Sequence, residues 1–118
     1  MNHEQLRDYC LKKKGVTEEF PFGEDTLVFK VMGKMFLLTS LASQPVSMNV
    51  KCEPELAIEF RERYVAVSPA YHMNKKHWNS VEADGSIPPE EFWKMIDHSY
   101  ELVVSGLPKK IRDELTRL

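Results

Sequence analysis

Ten consecutive residues, Pro69 to Trp78 (PAYHMNKKHW), bring together two histidines, a tyrosine, an asparagine, two lysines and a tryptophan. Lysine ammoniums at Lys75 and Lys76, with the imidazoles of His72 and His77, are suited to phosphate contacts. The Asn74 amide can pair with an adenine edge, and the rings of Tyr71 and Trp78 can stack on exposed bases. A proline opens the segment and strand-like runs flank it, which makes it a loop, the usual carrier of binding residues. Structural roles compete at several positions. Trp78 opens a strand and suits a core, His77 suits a bond to a backbone carbonyl, Tyr71 can pin the loop, and Asn74 tolerates a left-handed turn.

Other chemistries fit the same residues less well. A metal needs three convergent ligands, yet His72 and His77 lie five apart with no carboxylate between them. Cys10 and Cys52 have no partner at ligand spacing either, so neither a metal nor a cofactor is expected. His72, assisted by Tyr71 and Lys75, is a candidate for acid–base work near neutral pH. Against an enzyme stand the lack of a nucleophile in a recognisable turn, of a glycine-rich phosphate loop, and of an acid pair at usable spacing. A non-catalytic module that binds a protein or a small anionic ligand, anchored by Met73 or Trp78, is the alternative to nucleic-acid binding.

The chain has 118 residues, 42% of them hydrophobic and 29% charged, which predicts one soluble domain over residues 1–118 with a single core. Its net charge of −2 gives no bulk attraction to polyanions, so a nucleic acid would have to meet a local basic patch. Two cysteines without CxxC spacing read as free buried thiols. A polar N-terminus (MNHEQLRDYC) and the lack of a long apolar window predict a cytoplasmic protein that does not engage a membrane.

The elements that position the loop follow from periodicity. Leu6, Tyr9 and Cys10 predict a first helix over Asn2 to Lys14, capped by Gly15, with Lys12, Lys13 and Lys14 at the negative end of its dipole. Thr17 to Asp25 reads as a structured loop whose Phe20 and Phe22 plug the edge of the core. Leu27 to Val31 and Lys34 to Leu41 flank Met32-Gly33 as a hairpin. Val46 to Cys52 then alternates strictly, which sets Ser47, Asn49 and Lys51 on a face away from the core, where Lys30 joins them. A helix begins at Glu53-Pro54-Glu55. Strands follow at Val65 to Ser68 and Trp78 to Glu82, a helix from Pro88 to Gly106, and a final turn or short helix over Pro108 to Leu118. The expected fold is α+β, a two-layer sandwich with an antiparallel five-stranded sheet and helices on one face, in the order α-β-β-β-α-β-β-α.

Five stretches carry a resemblance: PFGED, FKVMGK, NVKCEPELA, PAYHMNKKHW and SYELVVSGLPKK. Running from about Pro21 to Lys110, they resemble the MmcQ/YjbR family of small bacterial proteins. The resemblance implies a fold related to frataxin-like and secretion-chaperone-like sandwiches, and a double-wing type of DNA binding. On that basis the expected binding surface is Lys30, Asn49, Lys51, Tyr71, His72, Asn74, Lys75, Lys76, His77 and Trp78, and the expected partner is DNA or RNA.

Overall fold

The computed structural model describes residues 1–118. Its elements are α1 (His3–Leu11), β1 (Val16–Glu19), β2 (Thr26–Val31), β3 (Lys34–Ser40), β4 (Ser47–Lys51), α2 (Pro54–Arg63), β5 (Val67–Pro69), β6 (Trp78–Glu82), α3 (Pro89–Ser105) and α4 (Lys109–Thr116). The strands form one sheet in the order β1-β2-β3-β4-β6-β5, antiparallel throughout. The α+β sandwich is therefore as expected, but the sheet has six strands rather than five.

The additional strand is β1, in the stretch read from sequence as the start of a loop. Val16 lies opposite Val31, and Glu18 points to the helix side, where the Arg7 guanidinium on α1 donates two hydrogen bonds to its carboxylate at 2.7 and 2.8 Å. With one apolar residue in four, this edge strand has no alternation to announce it, and a long-range ion pair helps to hold it. Three boundaries also move. α1 ends at Leu11, with Lys12 as its C-cap, and Gly15 instead turns the chain into β1 at φ 72°. The fourth predicted strand begins at Val67 because Val65 is wholly exposed. Phe20 and Phe22 do not plug the core edge, since both rings stand in solvent. The C-terminal segment is a true helix, α4, with Leu115 buried in the core.

One apolar core lies between the sheet and the helices, built from alternate strand residues such as Phe29, Leu37, Met48, Val50, Val67 and Val81. Leu6 and Cys10 of α1, Phe92, Met95, Ile96 and Val103 of α3, and Leu115 of α4 close it. Lys13 does not merely sit near a helix end: its ammonium meets Asp97 of α3 at 2.5 Å, and Tyr9 donates to the same carboxylate at 2.7 Å. The β2–β3 ladder contains a bulge, where Phe29 faces Leu37 and Lys30 faces Met35, so Phe36 is the extra residue. Ser99 of α3 fills the gap. Its hydroxyl donates to the Phe36 carbonyl at 2.6 Å and accepts from the Lys51 backbone N–H at 2.8 Å, fastening β3 and β4 to the helix layer.

Candidate binding cleft on the open sheet face

The pleat assigns the opposite face. With Leu37, Val50 and Val81 in the core, register puts Val28, Lys30, Met35, Leu38, Asn49, Lys51, Trp78 and Ser80 on the other side. This face is less polar than the alternation in β4 implies, because Val28 is fully buried and Trp78 is 9% exposed. Between the loop that follows β1 and the Pro69 to Trp78 loop it sinks into a cleft of about 580 Å³. Phe22 stands on one side, His72, Met73 and Asn74 on the other, and Met35, Leu38 and Asn49 line the sheet between them. No lysine, arginine, aspartate or glutamate lines it.

The loop is held by its backbone. Ala70 N–H donates to the Trp78 carbonyl, and the Asn74 carbonyl accepts from both His77 and Trp78 N–H groups, at 2.9–3.1 Å. The Asn74 side chain accepts from Lys76 N–H at 3.0 Å, a local turn of the kind asparagine favours. A second anchor comes from the helix layer. Asn79, 1% exposed, faces the core from β6, donates to the Ala57 carbonyl of α2 and accepts from Arg61 Nε at 2.7 Å. The same guanidinium donates to the backbone carbonyl of Lys75. Arg61 thus ties α2 to the loop that carries the candidate residues.

Of the ten residues predicted to form a binding surface, Asn49, His72 and Asn74 line the cleft. Asn49 has only a weak partner, its amide nitrogen lying 3.8 Å from the Met73 thioether. Tyr71 is 67% exposed, and the Lys75 ammonium lies 5.0 Å from its ring centroid. Lys75 and Lys76 are exposed and neither enters an ion pair. Lys30 is not available in the same way, since Glu19 takes its ammonium at 2.8 Å. Lys51 is half-buried on the open face beside Trp78 and outside the cleft lining. His77 is half-buried, and its carbonyl accepts from Cys52 N–H at 2.8 Å. Trp78 is a packing residue, too buried to stack on a base. Cys10 and Cys52 are both free and buried.

Sequence reasoning missed Phe22, Met35 and Leu38 as cleft residues and Arg61 as the loop's anchor, while Met73, named there as an anchor for a protein or small ligand, does line the cleft. Phe22 carried a signal, an aromatic beside Pro21 and Gly23 in a segment too polar to need it in the core. Arg61 carried another, because a buried amide at Asn79 on an otherwise apolar side of β6 demands a donor.

The class defined by these features is an α+β sandwich that buries one sheet face under helices and shapes the other into a loop-walled cleft. Comparison with known proteins gives it a family: the profile described as YjbR matches residues 11–102, and the chain belongs to the YjbR family. It is 36% identical over 108 residues to the uncharacterized protein YbdF of Escherichia coli O157:H7, covering 92% of this chain and 88% of the relative. It is 30% identical over 118 residues, the full length of both, to the uncharacterized protein YjbR of Escherichia coli K12. Among solved structures, the Deinococcus radiodurans protein DR2400, a DUF419 domain, superposes with a TM-score of 0.92 at 36% identity, covering 98% of this chain and 88% of that one. A Pseudomonas syringae protein superposes with a TM-score of 0.74 at 28% identity, covering 86% and 98% respectively.

Proposed function

We infer that this protein is a non-catalytic nucleic-acid-binding module that takes unpaired strands through the Pro69 to Trp78 loop and the open sheet face. The observation that carries this reading is the pairing of exposed, ion-pair-free Lys75 and Lys76 with an exposed Tyr71 ring beside the mouth of an uncharged cleft. Cations beside an aromatic platform suit a flexible strand whose phosphates and bases are both accessible. A duplex offers phosphates alone unless an element enters a groove, and a net charge of −2 gives little to hold it there. The DNA-binding role implied by the resemblance is thereby narrowed to single strands. Two free buried thiols agree with work in a reducing cytoplasm.

Lys51, Lys75 and Lys76 are the cations left around this face once Glu19 has engaged Lys30. Three phosphate contacts on a single strand correspond to a log–log salt dependence with a slope of about −2. Fluorescence anisotropy with a labelled oligonucleotide between low and moderate salt tests this. A single strand is expected to bind more tightly than a hairpin duplex of the same sequence. The double substitution Lys75→Ala and Lys76→Ala should reduce the slope to about −0.7. Absence of single-strand binding at low salt overturns the reading.

The uncharged lining favours a second reading, a module for a small amphipathic ligand with no strand attached. Native mass spectrometry of the protein released directly from cells distinguishes it, since a bound metabolite of fixed mass is then expected in place of nucleic acid.

A further inference from the structure

We propose that the cleft on the open sheet face is a pocket for a single unpaired nucleobase, with the Asn49 amide reading its edge and the Phe22 ring lying against its face. The proposal rests on the nucleic-acid reading above and names what the cleft contributes to it.

The polar group at the cleft floor selects a ligand with donors and acceptors in one plane. Asn49 sits between Leu38 and Ser80 in register, points away from the core, and reaches only a thioether, at 3.8 Å. Sulfur is a weak acceptor, so the amide oxygen and most of the donor capacity are free for a partner. An apolar ligand would cover that amide without satisfying it, which is unfavourable. A nucleobase edge satisfies it, as asparagine does with adenine in grooves.

The walls select a flat, uncharged ring. Phe22 lines the cleft yet is 65% exposed, an aromatic surface with no neighbour to cover it. Stacking on a base would cover it. Met35, Leu38 and Met73 supply soft apolar contacts that adapt to a purine or a pyrimidine. No lysine or arginine lines the cleft, so a phosphate is better held outside it, where Lys75 and Lys76 lie. The next residues along the loop from Asn74 are Lys75 and Lys76, where the phosphates of the inserted nucleotide and its neighbour would meet cations. A volume of about 580 Å³ admits a base with its sugar.

Phe22→Ala, Asn49→Leu and the Lys75→Ala/Lys76→Ala pair, each in the full chain and checked for folding by circular dichroism, separate the two layers of argument. The probes are a labelled mixed-sequence single-stranded oligonucleotide and the nucleoside adenosine. Methyl signals of Met35 and Met73 and the Asn49 side-chain amide signals are followed by NMR. Adenosine is expected to shift all of those signals in the wild type and in the lysine variant, and to leave the Met35 and Met73 methyl signals unmoved in Asn49→Leu. Oligonucleotide affinity is expected to fall ~10-fold in Phe22→Ala and in Asn49→Leu with no change in the salt slope. If the oligonucleotide binds equally to the wild type and both cleft variants and the cleft signals stay fixed, the nucleobase pocket is overturned while nucleic-acid binding stands. If no oligonucleotide binds at low salt, nucleic-acid binding falls and the pocket with it.

Discussion

A buried hydroxyl, Ser99, holds the two halves of the sheet layer at their weakest point. The bulge at Phe36 removes a ladder partner just where β3 hands over to β4, and two backbone groups are left facing the helix layer. Ser99, fully buried, satisfies both, one as donor and one as acceptor. Ser99→Ala removes little volume and strands a carbonyl and an N–H in the core, at a cost of about 1–3 kcal/mol for each group left unpaired. Chemical denaturation should register a loss of that order. Ser99→Thr, which keeps the hydroxyl, is expected to recover part of it. Asn79 follows the same logic, since a polar side chain in an apolar layer persists where its bonds are complete, here to Ala57 and Arg61.

Among the elements, the turn at Met32-Gly33 and the turn at Gly15 are two solutions to one problem. Met32 and Gly33 both have positive φ, 49° and 86°, the two-residue hairpin geometry that suits the twist of β2 and β3. Gly15 has φ 72°, and a Cβ there would lie 2.6 Å from Leu115 Cδ1 and 3.1 Å from Met32 Sδ. A Cβ on Gly33 would meet open space. Gly33→Ala should therefore cost only the left-handed backbone, about 1–2 kcal/mol. Gly15→Ala should cost measurably more, because it also displaces the buried Leu115 and with it the seat of α4. Equal shifts in denaturation midpoint for the two variants would contradict this packing. The elements legible in the sequence were those with a periodic apolar face or a turn signal, namely α1, the hairpin, β4, α2, β6 and α3. β1 was not, because its stability comes from Arg7 and from Val31, residues remote in sequence. The cleft was half legible: its loop is dense in polar groups, but the Phe22 side forms only when the sheet brings the two loops together.

For the molecule as a whole, buried acids of high pKa set an alkaline limit. Burial pushes the Cys10 thiol up to about 12 from 9.0 and the Cys52 thiol up to about 11. Tyr9 is pushed up to about 12 by burial first and by its bond to Asp97 second. Each raised value means the folded state keeps its proton after the unfolded chain has lost its own. The resulting stability is complete below about pH 9 and declines as pH rises toward 11–12. Unfolding free energy measured at pH 8 and pH 10 is expected to drop, and Cys10→Ala should make the decline shallower. A flat profile would contradict it. The sheet is guarded at both ends as well. β1 is four residues long and carries Glu18 and Glu19, while β5 is three residues long and ends in Pro69, which offers no N–H. Short, charged or proline-bearing edges resist pairing with further strands.

The Arg61 anchor has a consequence for how the loop can change. Its guanidinium grips the main-chain oxygen at position 75 and makes no contact that depends on which side chain stands there. Any amino acid presents the same carbonyl. The residue at position 75 can thus change while the loop stays in place, so the loop's surface can be rewritten without rebuilding its support.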